Sequence, residues 1–209
     1  MENIILGFLT GGSLILAIGH QNLFLIEQGL KKNFIFTITT ICAVSDVLLI
    51  SLGIFVYHIF DFISLEVKII LNIILILFLT KFILGKFKDL IKNHKIENTN
   101  QSQNIKNIIL KTLGFTYLNP HVYSDTVLIL GNLSKNFVLQ DKLFFAIGAF
   151  FASIIYFYSL GYMSSFFSKF IRKQNIWRYI NIFIIVFMTI LIIYIINDTT
   201  QSLDNYFKF

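Results

Sequence analysis

Long stretches with almost no charge dominate this sequence: four hold no charged side chain and two hold a single aspartate. An apolar helix of about 20 residues crosses the ~30 Å hydrocarbon core of a bilayer. The shortest stretch needs its flanking Lys68 and Lys81, whose long stems can reach the interface. The pattern therefore predicts an all-α integral membrane protein with about six transmembrane helices, drawn from residues 3–26, 33–60, 69–80, 112–134, 143–168 and 179–197.

The low content of charge supports the same fold class. Only 13% of the 209 residues are charged and 56% are hydrophobic, whereas a soluble domain is about 25% charged. The stretches are apolar on all sides rather than alternating, which favours helices over a membrane barrel. Only Glu2 precedes the first stretch, so we interpret that stretch as a retained helix and not a cleaved signal. The 16% of aromatic residues is interpreted as lipid-facing bulk.

The basic residues predict an orientation in the membrane. The net charge is +6, but Lys and Arg lie in short segments between apolar stretches. This placement indicates topology and contact with anionic lipid rather than nucleic-acid binding. If the first, third and fifth loops share a side, that side holds 13 of the 17 basic residues, and the positive-inside rule places both termini outside. A five-span alternative, with the first or third stretch only partly inserted, stays open.

A short internal repeat relates the two halves of the chain. Ser45 and Ser51-Leu52-Gly53 recur 108 residues later as Ser153 and Ser159-Leu160-Gly161. Two units of three spans must lie in opposite orientations, and inverted repeats are typical of transporters. We predict a first repeat at about 1–92, a polar loop at about 93–107 and a second repeat at about 108–200. The polar composition from about Lys86 onward predicts a flexible loop.

Polar residues interrupt the first and fourth stretches at corresponding places. Gly19-His20-Gln21-Asn22 occurs in the first stretch, and its polar side chains cannot all face one side of a helix. Asn119-Pro120-His121 occurs in the fourth, where the only proline of the chain removes a backbone hydrogen bond. Irregular backbone at membrane depth lines a cavity or is buried in protein. The matching breaks therefore predict a pair of half-helix sites. Gly7, Gly11 and Gly12 predict close helix packing.

Two aspartates inside the apolar stretches are the leading functional candidates. Asp46 lies in the middle of the second stretch, and Asp125 is the only charge of the fourth. Ionisable groups at membrane depth are costly and mark solute or proton pathways. His121 precedes Asp125 by four residues, so both side chains share a helix face and can share a proton. Each aspartate is a candidate counter-ion for a cationic solute or a carrier of protons.

These residues together resemble the lysine/arginine exporter (LysE) family, and more particularly its arginine-exporting branch. The resemblance rests on three stretches of sequence. They are residues 19–22 with 27–29, residues 42–46 with 53–55, and residues 118–123 with Asp125-Thr126 and Leu130-Gly131. It implies export of amino acids from the bacterial cytoplasm, coupled to protons, with Asp46 and Asp125 needed for transport. The family has proline where this chain has His20, so a preset break is lost and a titratable group is gained.

The sequence thus predicts a multi-pass proton antiporter of the bacterial inner membrane that exports lysine and arginine. Neutral amino acids or a metal cation are alternative solutes. A membrane-embedded hydrolase is disfavoured because GxSxG, HExxH and a second cysteine are lacking. No enzyme activity, bound metal or cofactor is predicted, and the sequence leaves homo-oligomer formation open. The candidate solute-binding or coupling residues are Asp46, Asp125, Asn119, His121, Gln21, Asn22 and His20, with helix breaks at Pro120 and Gly19.

Overall fold

The computed structural model describes residues 1–16, 19–60, 65–91, 104–119, 122–171 and 174–207, and every regular element within them is a helix. The sixth is a π-helix and the others are α-helices. The helices are α1 (Glu2–Ile15), α2 (His20–Leu30), α3 (Ile35–Phe60), α4 (Leu65–Ile91), α5 (Ile105–Tyr117), α6 (Tyr123–Ile129), α7 (Leu130–Ser134), α8 (Leu139–Ile171) and α9 (Gln174–Phe207).

Several of these helices are long and apolar enough to cross a membrane. By length and composition, the described residues provide Ile35–Val56, Leu139–Ser168 and Arg178–Gln201, and α1 with α2 adds a fourth if this bent pair counts as one span. Large apolar side chains such as Phe166, Ile193 and Leu77 are exposed on the outer faces, as lipid contact requires. The all-α membrane class is confirmed. By this measure, the described residues supply three or four spans, and the predicted count of six is not established.

Helices α3 and α8 form the centre of the structure. Helix α8 packs against α1, α2 and α3, while α3 packs against α5, α6 and α7. Helix α4 packs along α9. The two interrupted segments therefore flank the α3–α8 core, and α4 pairs with α9 beside it, joined to α2, α3, α5 and α8 by one apolar core.

Small residues allow α1 and α8 to cross at close range. A Cβ atom added to Gly7 would lie 2.8 Å from the carbonyl carbon of Phe145, and one added to Gly11 would lie 2.9 Å from Ala149 Cβ. From the other helix, a Cβ on Gly148 would lie 2.8 Å from the Phe8 backbone nitrogen. These contacts are too short for a side chain, which confirms the predicted role of Gly7 and Gly11. Gly12 has only an ordinary contact, 3.8 Å from Ala152 Cβ.

An aromatic cluster lies inside the structure, between α2, α4 and α5. Phe115 is fully buried, and its ring centroid lies 4.8 Å from that of Phe24, 4.8 Å from that of Phe78 and 5.1 Å from that of Phe82. Aromatic pairs at this spacing add stability beyond the area they bury. The interpretation of the aromatic residues as lipid-facing bulk was therefore wrong for this cluster, because composition does not tell which ring faces inward.

The polar middle of the chain begins later than its composition suggested. Helix α4 continues to Ile91, so Lys86 is helical and buried, and its assignment to a flexible loop was wrong. Its ammonium group finds an anionic partner inside the protein, as described below. Helix α5 begins at Ile105, where the Asn104 side chain accepts a hydrogen bond of 3.1 Å from the Lys106 backbone. Residues 92–103 lie outside the described ranges.

Candidate functional site

The first predicted break separates α1 from α2. Helix α1 ends at Ile15, α2 begins at His20, and the two axes differ by 81°. Gly19 is extended, with φ of −107° and ψ of 179°, and does not continue the helix. The Asn22 side-chain nitrogen donates to the Ile15 carbonyl oxygen at 3.4 Å, which satisfies a group that the interrupted helix leaves open. The helix is therefore interrupted between α1 and α2, and the part that Gly19 plays in a solute site stays a prediction.

The second break separates α5 from α6 and has a similar arrangement. Helix α5 ends at Tyr117, and the Tyr123 hydroxyl donates to the Tyr117 carbonyl oxygen at 2.8 Å. The π-helix α6 begins at Tyr123, and such segments are frequent at functional sites. Pro120 and His121 lie outside the described residues. Their predicted roles in the break and in proton sharing stay predictions.

The structure brings the two breaks together around one cavity of about 240 Å³. Its polar lining includes Gly19, His20, Gln21 and Asn22 of the first break and Asn119 of the second, and helix α9 closes another wall. This volume lies below the range usual for drug-sized ligands and suits a smaller solute. The lining residues are Leu14, Ile15, Gly19, His20, Gln21, Asn22, Asn119, Val122, Thr126, Phe157, Leu191, Tyr194 and Ile195.

Asp46 is not among the residues that line this cavity. Its side chain is 7% exposed on α3. Cys42, one turn earlier, interacts with the side chain of Gln21 and with Asp46, and Gln21 lines the cavity. Ser153 on α8 is also an electrostatic neighbour of Asp46. Asp46 Oδ2 and Ser153 Oγ are both buried, and Ser153 hydrogen-bonds to Asp46 through a contact longer than a regular hydrogen bond. Asp46 is thus a buried carboxylate with unused acceptor capacity, linked to the cavity through Cys42 and Gln21.

The second aspartate lies in the π-helix. Asp125 belongs to α6, and the structure describes its backbone but not its side chain. Its neighbour Thr126 is buried and lines the cavity. The predicted partnership of Asp125 with His121 therefore stays a prediction.

Comparison with known proteins identifies the family. The family model described as LysE type translocator matches residues 12–199. The chain belongs to the LysE family. It is 33% identical over 184 residues to the arginine exporter protein ArgO of Salmonella enteritidis PT4, covering 87% of each chain. It is 32% identical over 183 residues to ArgO of Pectobacterium atrosepticum, covering 85% of this chain and 88% of the relative. No solved structure matches it.

Family membership fixes the class of activity and the location. LysE-family proteins of this kind are translocators and not enzymes. Together with the apolar helices, the bacterial relatives identify this chain as a multi-pass protein of the bacterial inner membrane. Both findings agree with the sequence predictions.

The structure also reveals buried charges that the sequence analysis did not select in this LysE-family protein. The Lys86 ammonium on α4 donates to Glu27 Oε1 on α2. The Lys31 ammonium lies 2.5 Å from the same oxygen. In the sequence, Glu27 stands out only as part of residues 27–29, one of the stretches that carry the family resemblance. The available signal was an acidic residue directly after the apolar Leu23-Phe24-Leu25-Ile26, where a charge needs a partner.

The described part of this LysE-family chain contains no group of three or more His, Cys, Asp and Glu residues that could hold a metal ion. Its polar cavity offers amides, an imidazole and a hydroxyl instead. These groups suit hydrogen bonds to an organic solute.

The hydrogen bond from Tyr123 to the Tyr117 carbonyl oxygen should contribute to the stability of the second break. We expect Tyr123→Phe to lower the free energy of unfolding by about 1 kcal/mol, because a carbonyl loses its partner. Thermal unfolding of the purified protein in detergent measures this loss. Tyr179→Phe is the matched control, since Tyr179 is exposed. Equal melting temperatures for both variants would show that the bond does not stabilise the break.

Proposed function

We propose that this LysE-family protein exports basic amino acids, arginine in particular, from the bacterial cytoplasm in exchange for protons. Its relatives of 32–33% identity are named arginine exporters. The observation that carries the proposal is the buried carboxylate of Asp46, which adjoins a polar cavity formed by two interrupted helices. A membrane carboxylate with unused acceptor capacity is a suitable partner for a guanidinium or ammonium group.

The proposed cycle alternates a cation and a proton at the carboxylates. Arginine or lysine pairs with ionised Asp46 from the inner side, with Asp125 as the second carboxylate. A proton from outside then neutralises the carboxylate and weakens its hold on the solute. His121 and His20 can exchange protons near these groups, because their unperturbed pKa is close to neutrality.

The amides along the cavity contribute orientation. Gln21, Asn22 and Asn119 each provide both hydrogen-bond donors and acceptors, and they lie at the two breaks. Gly19 and Pro120 supply the interruptions that free backbone groups for the solute. Neutral amino acids could use the same amides, so solute identity depends on the carboxylates.

We also propose six spans in two inverted repeats, with both termini outside. The packing supports this arrangement because the contacts of one half have counterparts in the other. Helices α1 and α2 pack on α8, and α5, α6 and α7 pack on α3, while α3 contacts α8 and α4 contacts α9. If the helices of residues 1–92 and those of residues 108–200 trade places in this description, the same kinds of helix contacts remain. Rocking one part of such an assembly against the other gives alternating access.

Retention of labelled amino acids in bacterial cells lacking their own exporter tests the proposal. The cells are fed arginine or lysine dipeptides, which release the amino acids inside. We expect cells with this protein to lose labelled arginine and lysine faster than cells with an empty vector. An alanine dipeptide tests the neutral alternative in the same cells. Unchanged retention of both basic amino acids, with the protein present in the membrane, would contradict the proposal.

A further inference from the structure

The ion pair between Glu27 and Lys86 is buried but incompletely satisfied. The side chains of the two residues are only 2% and 6% exposed. Both the Lys86 and the Lys31 ammonium groups contact Oε1 of Glu27. The other carboxylate oxygen, Oε2, is buried and has no hydrogen-bond partner among the described residues. Burying charge is costly unless every lone pair is used, so this oxygen is an open acceptor in a closed site.

Lys86 has a second set of contacts that does not involve α2. Its ammonium group lies 3.4 Å from Asn181 Oδ1 on α9 and 5.5 Å from the centroid of the Phe82 ring on α4. An amide oxygen and an aromatic face both stabilise a cation. The ammonium group therefore keeps neighbours if its contact with Glu27 lengthens.

The ion pair is a polar contact between α2 and α4, which also meet through the Phe24 and Phe82 rings. Helix α2 packs against α8 and α5, whereas α4 packs along α9. The cavity lies between α2 and α9, since His20 and Gln21 line it from α2 while Leu191 and Ile195 line it from α9. Separating Lys86 from Glu27 would release one polar contact that holds α2 to the α4–α9 pair.

The ion pair is also close to the basic end of α2. Lys31 follows Glu27 by one helical turn, and Lys31 and Lys32 are exposed. These residues belong to the loop that the positive-inside rule assigns to the cytoplasm. An amino acid leaving the cytoplasm would meet this pair about one turn below the surface.

We propose that the transported amino acid inserts its zwitterionic backbone between these two side chains, with its α-ammonium on Glu27 and its α-carboxylate on Lys86. This inference rests on the proposed export of amino acids and assigns the part of the substrate that this site recognises. The α-ammonium supplies donors for Oε2, and the α-carboxylate replaces Glu27 as the anion beside Lys86. Glu27 and Lys86 thus each keep an opposite charge beside them, and Lys31 stays on Oε1 of Glu27. An amine without a carboxylate would leave Lys86 facing a second cation instead.

Two buried carboxylates, Glu27 and Asp46, then recognise different parts of the same solute. Glu27 and Lys86 read the charged groups that all amino acids share. Asp46, which Cys42 connects to the cavity residue Gln21, recognises the cationic side chain. Binding at the first site also replaces the polar contact between α2 and α4 with contacts to the solute.

Calorimetric titration of the purified full-length protein in lipid nanodiscs tests this assignment with two probes. Arginine carries the α-carboxylate, and agmatine is the same molecule without it. We expect the wild-type protein to bind arginine at least about tenfold more tightly than agmatine. In Lys86→Met the two affinities should converge, because arginine loses its carboxylate partner and agmatine no longer competes with Lys86. Glu27→Gln should weaken the binding of both.

The control is Lys88→Met, an exposed lysine on the same helix, which should keep the wild-type ratio. If Lys86→Met does not fold, the charge-neutral double variant Glu27→Gln/Lys86→Met replaces it and should also bind arginine and agmatine equally. An unchanged ratio in the Lys86 variant would overturn this inference alone, as would equal binding of both probes by the wild type. Absence of arginine binding by the wild type would overturn the proposed export as well.

Discussion

Replacement of Asp46 by asparagine is expected to abolish arginine export while leaving the protein in the membrane. The substitution keeps the size of the side chain but removes both its negative charge and its ability to take up a proton. Asp46 is buried beside the Ser153 side chain, and an amide of the same size can keep that neighbour, so the substitution should disturb packing little. Efflux of labelled arginine should fall at least about a hundredfold, since a buried charge-assisted contact is worth roughly 3 kcal/mol.

The matched control is Asp141→Asn, the same chemical change in the first turn of α8. That variant should export arginine at the wild-type rate. Asp125→Asn is expected to behave like Asp46→Asn, as the second carboxylate of the proposed cycle. Wild-type efflux by Asp46→Asn, at equal amounts of protein in the membrane, would remove the buried carboxylate from the mechanism.

Replacement of Gly148 by leucine is expected to prevent α1 from packing on α8. A Cβ atom at this position would approach the Ile4 carbonyl oxygen and lie 2.8 Å from the Phe8 backbone nitrogen. Both are backbone atoms, so neither can move aside without displacing a helix. Overpacking of this kind costs about 3 kcal/mol or more. Detergent extracts should contain little monodisperse protein, as size-exclusion chromatography of a fluorescent fusion would measure.

Gly85→Leu provides the control for this packing prediction. Gly85 lies in the α-helix α4, is exposed, and a Cβ there meets nothing within 4 Å. The same increase in side-chain volume should therefore leave the elution profile unchanged. If the Gly148 variant is as monodisperse and as thermally stable as the Gly85 variant, the close crossing of α1 and α8 does not hold the fold together.

Much of the cavity could be predicted because its residues break local rules of helix formation. Gly19-His20-Gln21-Asn22 is too polar for the interior of an apolar span, and Asn119 precedes a proline. Each signal is local, so the sequence alone locates both breaks. That residues of both breaks line one cavity depends on how the helices pack, which a local pattern does not predict. The burial of Asp46 followed from its place in a long apolar stretch.

The Glu27–Lys86 pair could not be predicted in the same way. The two residues are 59 positions apart, and each lies near the end of an apolar stretch, where a charge ordinarily faces water or lipid headgroups. Only the packing of α2 against its neighbours reveals that both are buried. The π-helix at Tyr123–Ile129 was likewise not predicted, since an apolar sequence has the same hydropathy whether it forms an α-helix or a π-helix.

The most direct test of the central claim is release of labelled arginine from liposomes that contain the purified protein. The liposomes are loaded with arginine at neutral pH and diluted into acidic or neutral buffer. Proton-coupled export through Asp46 predicts rapid release that is faster into acidic buffer, with Asp46→Asn liposomes no faster than protein-free ones. Release at the protein-free rate by the wild-type protein, or equal release by the wild type and Asp46→Asn, would contradict the account.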